Sequence, residues 1–423
     1  MSGPKNSGAE KSSSRRDSYA VLRNRDFRFY LFGRLIATIG QQMLVAALIW
    51  ELYHRTQSAV ALLWAGLTQV VPMVLFTLPA GHMADNYDRK KVIVSMTLVG
   101  LVASIGLTAA SGMHASVLWT YFCIFIIASA RTFMWAASAA FLPALVERRD
   151  LSHAVNWNAS TFQFSAIVGP IAGGALIEFT HSHTAAPVYA FNVLATLVFA
   201  IMVGFVKRRH IVAVREKMSF KGLLTGFNFV FTNKMILGII TLDMFAVLLG
   251  GAVMLLPIYA QDILRVGPTA YGFLKAALPL GSLACSLFLA HRPPLQKAGR
   301  DLLWSVVVFG LATIGFGLSK WFWLSFLMLF ISGAADNVSV VVRHTLVQLL
   351  TPDDKRGRVS AVNNLFIGTS NELGDVESTG VAHLFGPMMR NTIAFGAVIS
   401  AVSGGIGTIL VVIAVALIWP EIR

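Results

Sequence analysis

The chain has 423 residues, of which 56% are hydrophobic and only 13% charged, and it carries a net charge of +14. A soluble domain holds roughly 25% charged residues, so this composition excludes an ordinary water-facing globule. Two cysteines, Cys123 and Cys285, lie far apart in apolar runs, which excludes a disulfide framework and cysteine–zinc spacing.

Residues 1–26 are polar, rich in Ser, Lys and Arg, and read as a disordered segment. The apolar run that follows is too long for a cleavable signal peptide and reads as a retained span. Runs of about 20 residues, the length a helix needs to cross a bilayer, then recur to the end of the chain. Twelve spans are predicted, at 29–53, 58–82, 91–111, 116–138, 155–178, 186–206, 236–260, 270–290, 302–319, 321–342, 359–386 and 393–419. Pro143 at the end of the fourth and Pro170 within the fifth predict kinks. The expected fold class is an all-α membrane protein. Its twelve transmembrane helices form two six-helix halves, 27–206 and 236–423. The connection 207–235 carries an amphipathic piece, Phe220 to Phe231, expected to lie along the membrane surface.

The basic residues orient these spans. Of the 34 Lys and Arg, four (Arg55, Arg265, Lys320, Arg390) fall on one side, three (Arg34, Arg131, Lys275) fall inside spans, and the other 27 share the side of both termini. The positive-inside rule makes that side cytoplasmic. The same asymmetry accounts for the basic charge without nucleic acid.

Gly81-His82-Met83-Ala84-Asp85-Asn86-Tyr87-Asp88-Arg89-Lys90 follows the second span. It resembles the loop 2–3 signature of the major facilitator superfamily, matching at Gly81, Asp85, Arg89 and Lys90. Asn86 stands where the family has a basic residue, and Asp88 where it has glycine. Gly169-Pro170-Ile171-Ala172-Gly173-Gly174 in the fifth span is similar to the Gly-Pro-x-x-Gly-Gly element of the superfamily's antiporters. Together with Ala130-Arg131-Thr132-Phe133 and the string Asp353 to Asn363, these motifs resemble the exporter subgroup that includes siderophore exporters. The resemblance implies the major facilitator fold, a gating contact between Asp85 and the start of span eleven, and export of a small molecule.

A charge at the bilayer centre costs at least about 2.5–3.5 kcal/mol, so charged residues inside spans are the prime site candidates. Arg34 either snorkels to the headgroups or lines a cavity. Arg131 either forms an ion pair or takes part in substrate or proton coupling. Asp243 and Asp336 sit at similar depths in spans seven and ten, where they line a cavity, pair with Arg131 or take part in proton coupling. Span eleven holds Glu372, Asp375 and Glu377 within six residues. Glu372 and Asp375 share one helix face, and Glu377 is rotated away. Mutual repulsion and loss of water both favour taking up a proton. The alternatives are ion pairs to other spans, Lys275 among them, or a direct contact with a cationic cargo group. Gln41, Gln42 and Gln69 put amide groups into the first two spans, for a cargo or for helix packing. Gly169, Pro170, Gly173 and Gly174 are expected to let helices approach closely.

There is no P-loop, no metal-ligand spacing and no nucleophile elbow in the sequence. The chain therefore reads as neither an enzyme nor a cofactor protein. Its expected partners are a small-molecule substrate, protons and membrane lipids, and it is expected to be a monomer in the inner (plasma) membrane with both termini cytoplasmic. A proton-coupled exporter is the favoured reading; a solute importer or a lipid flippase of the same fold is the alternative.

Overall fold

The computed structural model describes residues 19–181, 184–207, 227–291, 297–352, 356–389 and 393–422. Twelve long helices make up the described chain. They are α1 (Arg25–Thr56), α2 (Ala59–Asn86), α3 (Arg89–Gly112), α4 (Val117–Leu145), α5 (Leu151–Phe179), α6 (Ala186–Gly204), α7 (Lys234–Gly250), α8 (Pro268–Ala290), α9 (Ala298–Leu318), α10 (Phe322–Leu350), α11 (Arg356–Met389) and α12 (Ile393–Ile418). Eleven helical stretches among the described residues are long and apolar enough to cross a membrane. The remaining helix, α11, carries the acid cluster. Trp64, Leu75, Phe122, Trp135, Leu287 and Trp304 are each about half exposed or more. Such a belt suits hydrocarbon and not water.

The starts of several helices are written in the sequence. The Asn24 side chain accepts from the backbone N–H of Asp26 and Phe27, Asp88 from Lys90 and Lys91, and Asn233 from Met235 and Ile236. Each satisfies donors that a helix start leaves open. Asp88, which departs from the family pattern, is thus the N-cap of α3.

The packing pattern of α1–α6 recurs in α7–α12. In the first half α1 lies on α5 and α6, α4 on α2 and α3, and α3 on α6. In the second, α7 lies on α11 and α12, α10 on α8 and α9, and α9 on α12. The halves meet through α2 with α11 and α5 with α8. These two contacts are equivalent under the same exchange, as a structural repeat requires.

The predicted seventh span is not one helix. α7 stops at Gly250 and resumes as a 3-10 turn (Val253–Leu255), a short α-turn (Leu256–Ile258) and a π-turn (Tyr259–Ile263). The reason is close packing. A Cβ on Gly250 would collide with the Phe309 ring, and one on Gly251 would lie 3.1 Å from the carbonyl carbon of Gly374 on α11. Pro257 then enters at the first turn of the resumed segment. The sequence reading also placed Arg343 in a loop. It lies inside α10, which continues to Leu350, and it is buried. Of the expected amphipathic piece, 220–226 lie outside the described residues. Phe227 and Val230 pack with Ile236, Ile240 and Val347 of the second half.

The start of α1 and the ends of α2, α4 and α6 pack together at one face, the basic face, named for the Lys and Arg residues that the sequence places there. At the opposite face the halves are sealed. Tyr53 Oη donates to the Asp262 carboxylate, Gln57 Nε2 to Gln261 Oε1 at 3.3 Å, and the backbone N–H of Thr269 to Glu178 Oε2 at 3.3 Å. The Gly-Pro-x-x-Gly-Gly element is built into this seal. Gly169 and Gly173 let α5 approach α1 at Gln42 and Met43, a Cβ on Gly174 would collide with the Pro268 carbonyl of α8, and one on Gly272 with the Pro170 carbonyl. Among the described residues, α4 and α5 make no close helix packing on α10 or α11 toward the basic face. The space between the halves therefore opens to the basic face.

A hydrogen bond to a charged acceptor is worth about 1.5–3 kcal/mol, so Tyr53→Phe should shift the closed seal toward opening by about tenfold or more. Spin labels at His54 and Arg265, one on each half, should report this as added long distances in a background lacking the two native cysteines. An unchanged distance distribution would remove Tyr53 and Asp262 from the seal.

Candidate functional site

The site forms where the broken α7 meets α11. Breaking a helix frees backbone donors, which at membrane depth must find partners. The backbone N–H of Met254 lies close enough to the Asp375 carboxylate to favour its charge. Gly374, next in chain, lets the α7 backbone close in, since a Cβ there would lie 2.7 Å from Val247 O. Asp375 is also in electrostatic contact with Lys275 and Tyr271, which lie one helical turn apart on α8. The Tyr271 ring packs on Trp50 of α1 at 5.2 Å, and its buried hydroxyl has no hydrogen-bond partner among the described residues.

Glu372, on the same face of α11 as Asp375, reaches across to the first half. Its Oε1 lies 3.6 Å from Arg131 Nη2 on α4, and the two side chains are 23% and 34% exposed. This is a loose ion pair joining the two halves through partly open space. Of the five acids singled out in the sequence, Glu372 and Asp375 come together with Arg131 and Lys275. Glu377 is half-buried farther along α11, and neither it nor Asp336 forms an ion pair among the described residues. Asp243 pairs with Arg343 instead of Arg131, and both are buried, at 6% and 2% exposure. That pair ties α7 to α10 inside the second half.

The other candidates spread out. Arg34 Nη1 donates to Tyr30 Oη at 2.5 Å and its guanidinium lies over the Tyr30 ring. Gln41 lines a cleft within the first half, together with Arg131. Gln42 packs on Gly169. Gln69 is buried and turns back on its own helix, to Ala65 O at 3.4 Å. Arg89 Nη1 donates to Ala140 O at 3.0 Å, and Lys90 Nζ to Gly204 O and Val206 O at 2.8 and 2.7 Å. These two motif residues brace α3 against α4 and the end of α6, within one half. Gly81 has open space around it and Asp85 is exposed at the end of α2. The side chains at the start of α11, toward which the expected gate contact points, lie outside the described residues.

Two groups escaped the sequence reading. Glu51 on α1 is 5% exposed and accepts from Ser111 Oγ at 2.7 Å and Tyr189 Oη at 2.8 Å, with Arg55 Nη1 at 3.9 Å. Its signal was plain: an acid inside the predicted first span. Asp262 had none, because its partner Tyr53 is 209 residues away. Among the described residues no group of His, Cys, Asp and Glu could hold a metal ion.

Comparison with known proteins places this geometry. The Major Facilitator Superfamily model matches residues 30–374. The chain is 24% identical over 409 residues to the enterobactin exporter EntS of Shigella flexneri, covering 94% of this chain and 92% of that protein. It is 25% identical over 408 residues to the enterobactin exporter of an Escherichia coli O1:K1 strain, with the same coverage. Among solved structures it is similar to a bacterial homologue of the human lysosomal transporter spinster in an inward-facing, unoccupied conformation. That match has a TM-score of 0.72 at 13% identity and covers 95% of this chain and 98% of the other. The POT family transporter PepTSo matches with a TM-score of 0.74 at 12% identity, covering 94% and 98%.

Leaving one partner of a buried ion pair alone costs about 3–5 kcal/mol. Asp243→Ala should therefore lower the unfolding temperature in detergent markedly, while the double change Asp243→Leu, Arg343→Met should recover most of the loss. Equal melting of wild type and the single variant would show that the pair contributes no stability.

Proposed function

Because the chain belongs to the major facilitator superfamily, a family of transporters and not of enzymes, we propose that it is a proton-coupled exporter of a small organic molecule. The observation that carries this reading is the Arg131–Glu372 pair, which joins the two halves at 3.6 Å beside Asp375 and Lys275. Alternating access requires the halves to rock about a central site. A charge pair between them has a different partner distance in each state, so a proton that neutralises Glu372 or Asp375 changes which state is favoured. This is the differential interaction that any ligand needs to shift such an equilibrium. Similarity to enterobactin exporters and the Gly-Pro-x-x-Gly-Gly element support export, with a siderophore or drug-like compound as cargo. The basic face is then cytoplasmic, both termini lie there, and the chain works as a monomer in the inner membrane. The seal at the opposite face makes the described state the one that loads cargo from the cytoplasm.

Glu372, Asp375 and Glu377 are the proposed proton carriers. In vesicles with an imposed pH gradient, Glu372→Gln or Asp375→Asn should abolish gradient-driven transport while exchange without a gradient survives. Full pH-coupled activity in these two and in Glu377→Gln would end the proton reading. Accumulation of cargo in expressing cells, instead of depletion, would make the chain an importer.

Asp85 is the proposed gate residue on the basic face. Asp85→Asn should lower turnover severalfold and leave cargo affinity nearly intact. Transport at the wild-type rate would remove Asp85 from the gate.

A further inference from the structure

Inside the first half, between α1, α3, α4 and α6, lies a small, partly open cleft of about 60 Å3. It is separate from the interface where α11 meets α7. Its polar lining is more than packing needs. The Gln41 amide and the Thr196 hydroxyl make no hydrogen bond among the described residues, and Asn192 spends only its Nδ2, on Ser104 Oγ at 3.0 Å. Arg131 lines the same cleft. Its 3.6 Å approach to Glu372 is beyond hydrogen-bond reach, and its guanidinium makes no hydrogen bond among the described residues. A guanidinium carries five N–H donors. The Arg131 side chain is about a third exposed, so these donors are open to an acceptor entering the cleft. No Asp or Glu lines the cleft, so its one charge is positive. Its apolar walls, Met96, Met134 and Phe199 among them, suit the faces of a flat ring.

On the reading that the chain carries a small organic molecule, we propose that this cleft is a cargo subsite for an anionic oxygen group, a carboxylate or phenolate borne on a flat ring. Arg131 is the counter-ion, and Gln41, Asn192 and Thr196 supply the hydrogen bonds that fix orientation. The enclosed space takes one ring-sized end of a cargo, and the rest extends past Arg131 into the space between the halves. Anion and Glu372 then share one guanidinium, which links cargo occupancy to the cross-half ion pair.

The cleft can be filled without touching that pair. Gly100 lines it, and a Cβ there would meet nothing nearer than Ala130 at 3.9 Å, so Gly100→Val projects into open space. Calorimetric titration of the purified full chain with salicylate and its neutral amide, salicylamide, tests the proposal, with thermal melting to confirm folding. Wild type should bind salicylate at least about tenfold more tightly than salicylamide, as a charge-assisted contact implies. Arg131→Gln should erase that preference, and Gly100→Val should weaken both ligands at least about tenfold. If Arg131→Gln does not fold, Arg131→Lys should retain the preference at reduced affinity. Wild type without salicylate binding or without preference, or a folded Gly100→Val that binds like wild type, overturns the subsite. These measurements need no transport, so failure here leaves the pH-gradient experiments on Glu372 and Asp375 standing, and failure there leaves the binding result standing.

Discussion

A charge placed at the depth of the hydrocarbon must have a partner, and the arrangement of this molecule follows from how its charges find theirs. Two solutions are visible. Within each half the partners are close and dry: Glu51 with Ser111 and Tyr189 in the first, Asp243 with Arg343 in the second. Between the halves the partners are looser and wetter. Arg131 and Glu372 stand 3.6 Å apart with about a quarter to a third of each side chain exposed. Tight burial locks an element in place, whereas a loose pair in accessible space can be broken and remade at modest cost. The first kind suits rigid bodies, and the second suits the joint between them.

The repeat makes the same point at the level of helices. Each half packs its six helices in the same pattern, yet α1 runs unbroken through 32 residues while its counterpart α7 breaks after Gly250. The break does two things at once. It brings the backbone of α7 against Gly374, and it turns the Met254 N–H toward the Asp375 carboxylate. An acid that would otherwise sit on a plain apolar helix is thereby placed beside Lys275 and Tyr271. Where the symmetry between halves is lost, the polar chemistry is gained, as in transporters whose sites form at interrupted helices.

Much of this was legible in the amino acids. Hydrophobic length locates eleven of the spans, because lipid demands a continuous apolar run and tolerates few exceptions; α11, with its acid cluster, falls short of that measure. The glycines of the α5 motif announce close approach, and they meet α1 and α8. The acid cluster of α11 and Arg131 stand out because charge is rare in such runs. What stayed hidden is partner choice. Asp243 finds Arg343 because α10 extends eight residues past its predicted end, and that extension depends on tertiary packing. Asp262 finds Tyr53 across 209 residues, a contact with no local signature. The break in α7 is written as Gly250-Gly251, but two glycines in an apolar run equally suit an unbroken helix packed against a neighbour. Only the presence of Phe309 and Gly374 decides the matter.

The seal and the ion pair act on the same joint from different depths. At the opposite face Tyr53, Gln57 and Glu178 reach across to Asp262, Gln261 and the start of α8. Nearer the centre, Arg131 reaches to Glu372. On the proposed reading, rocking the halves to open the seal separates the first group and changes the Arg131–Glu372 distance in the same movement, because both sets join the same two halves. A group bound at Arg131 or a proton bound at Glu372 therefore does not need to touch the seal to influence it. On the proposed transport reading, each would alter the energy of one contact whose geometry differs between two states, and the stiffness of the six-helix halves would carry that difference to the far face.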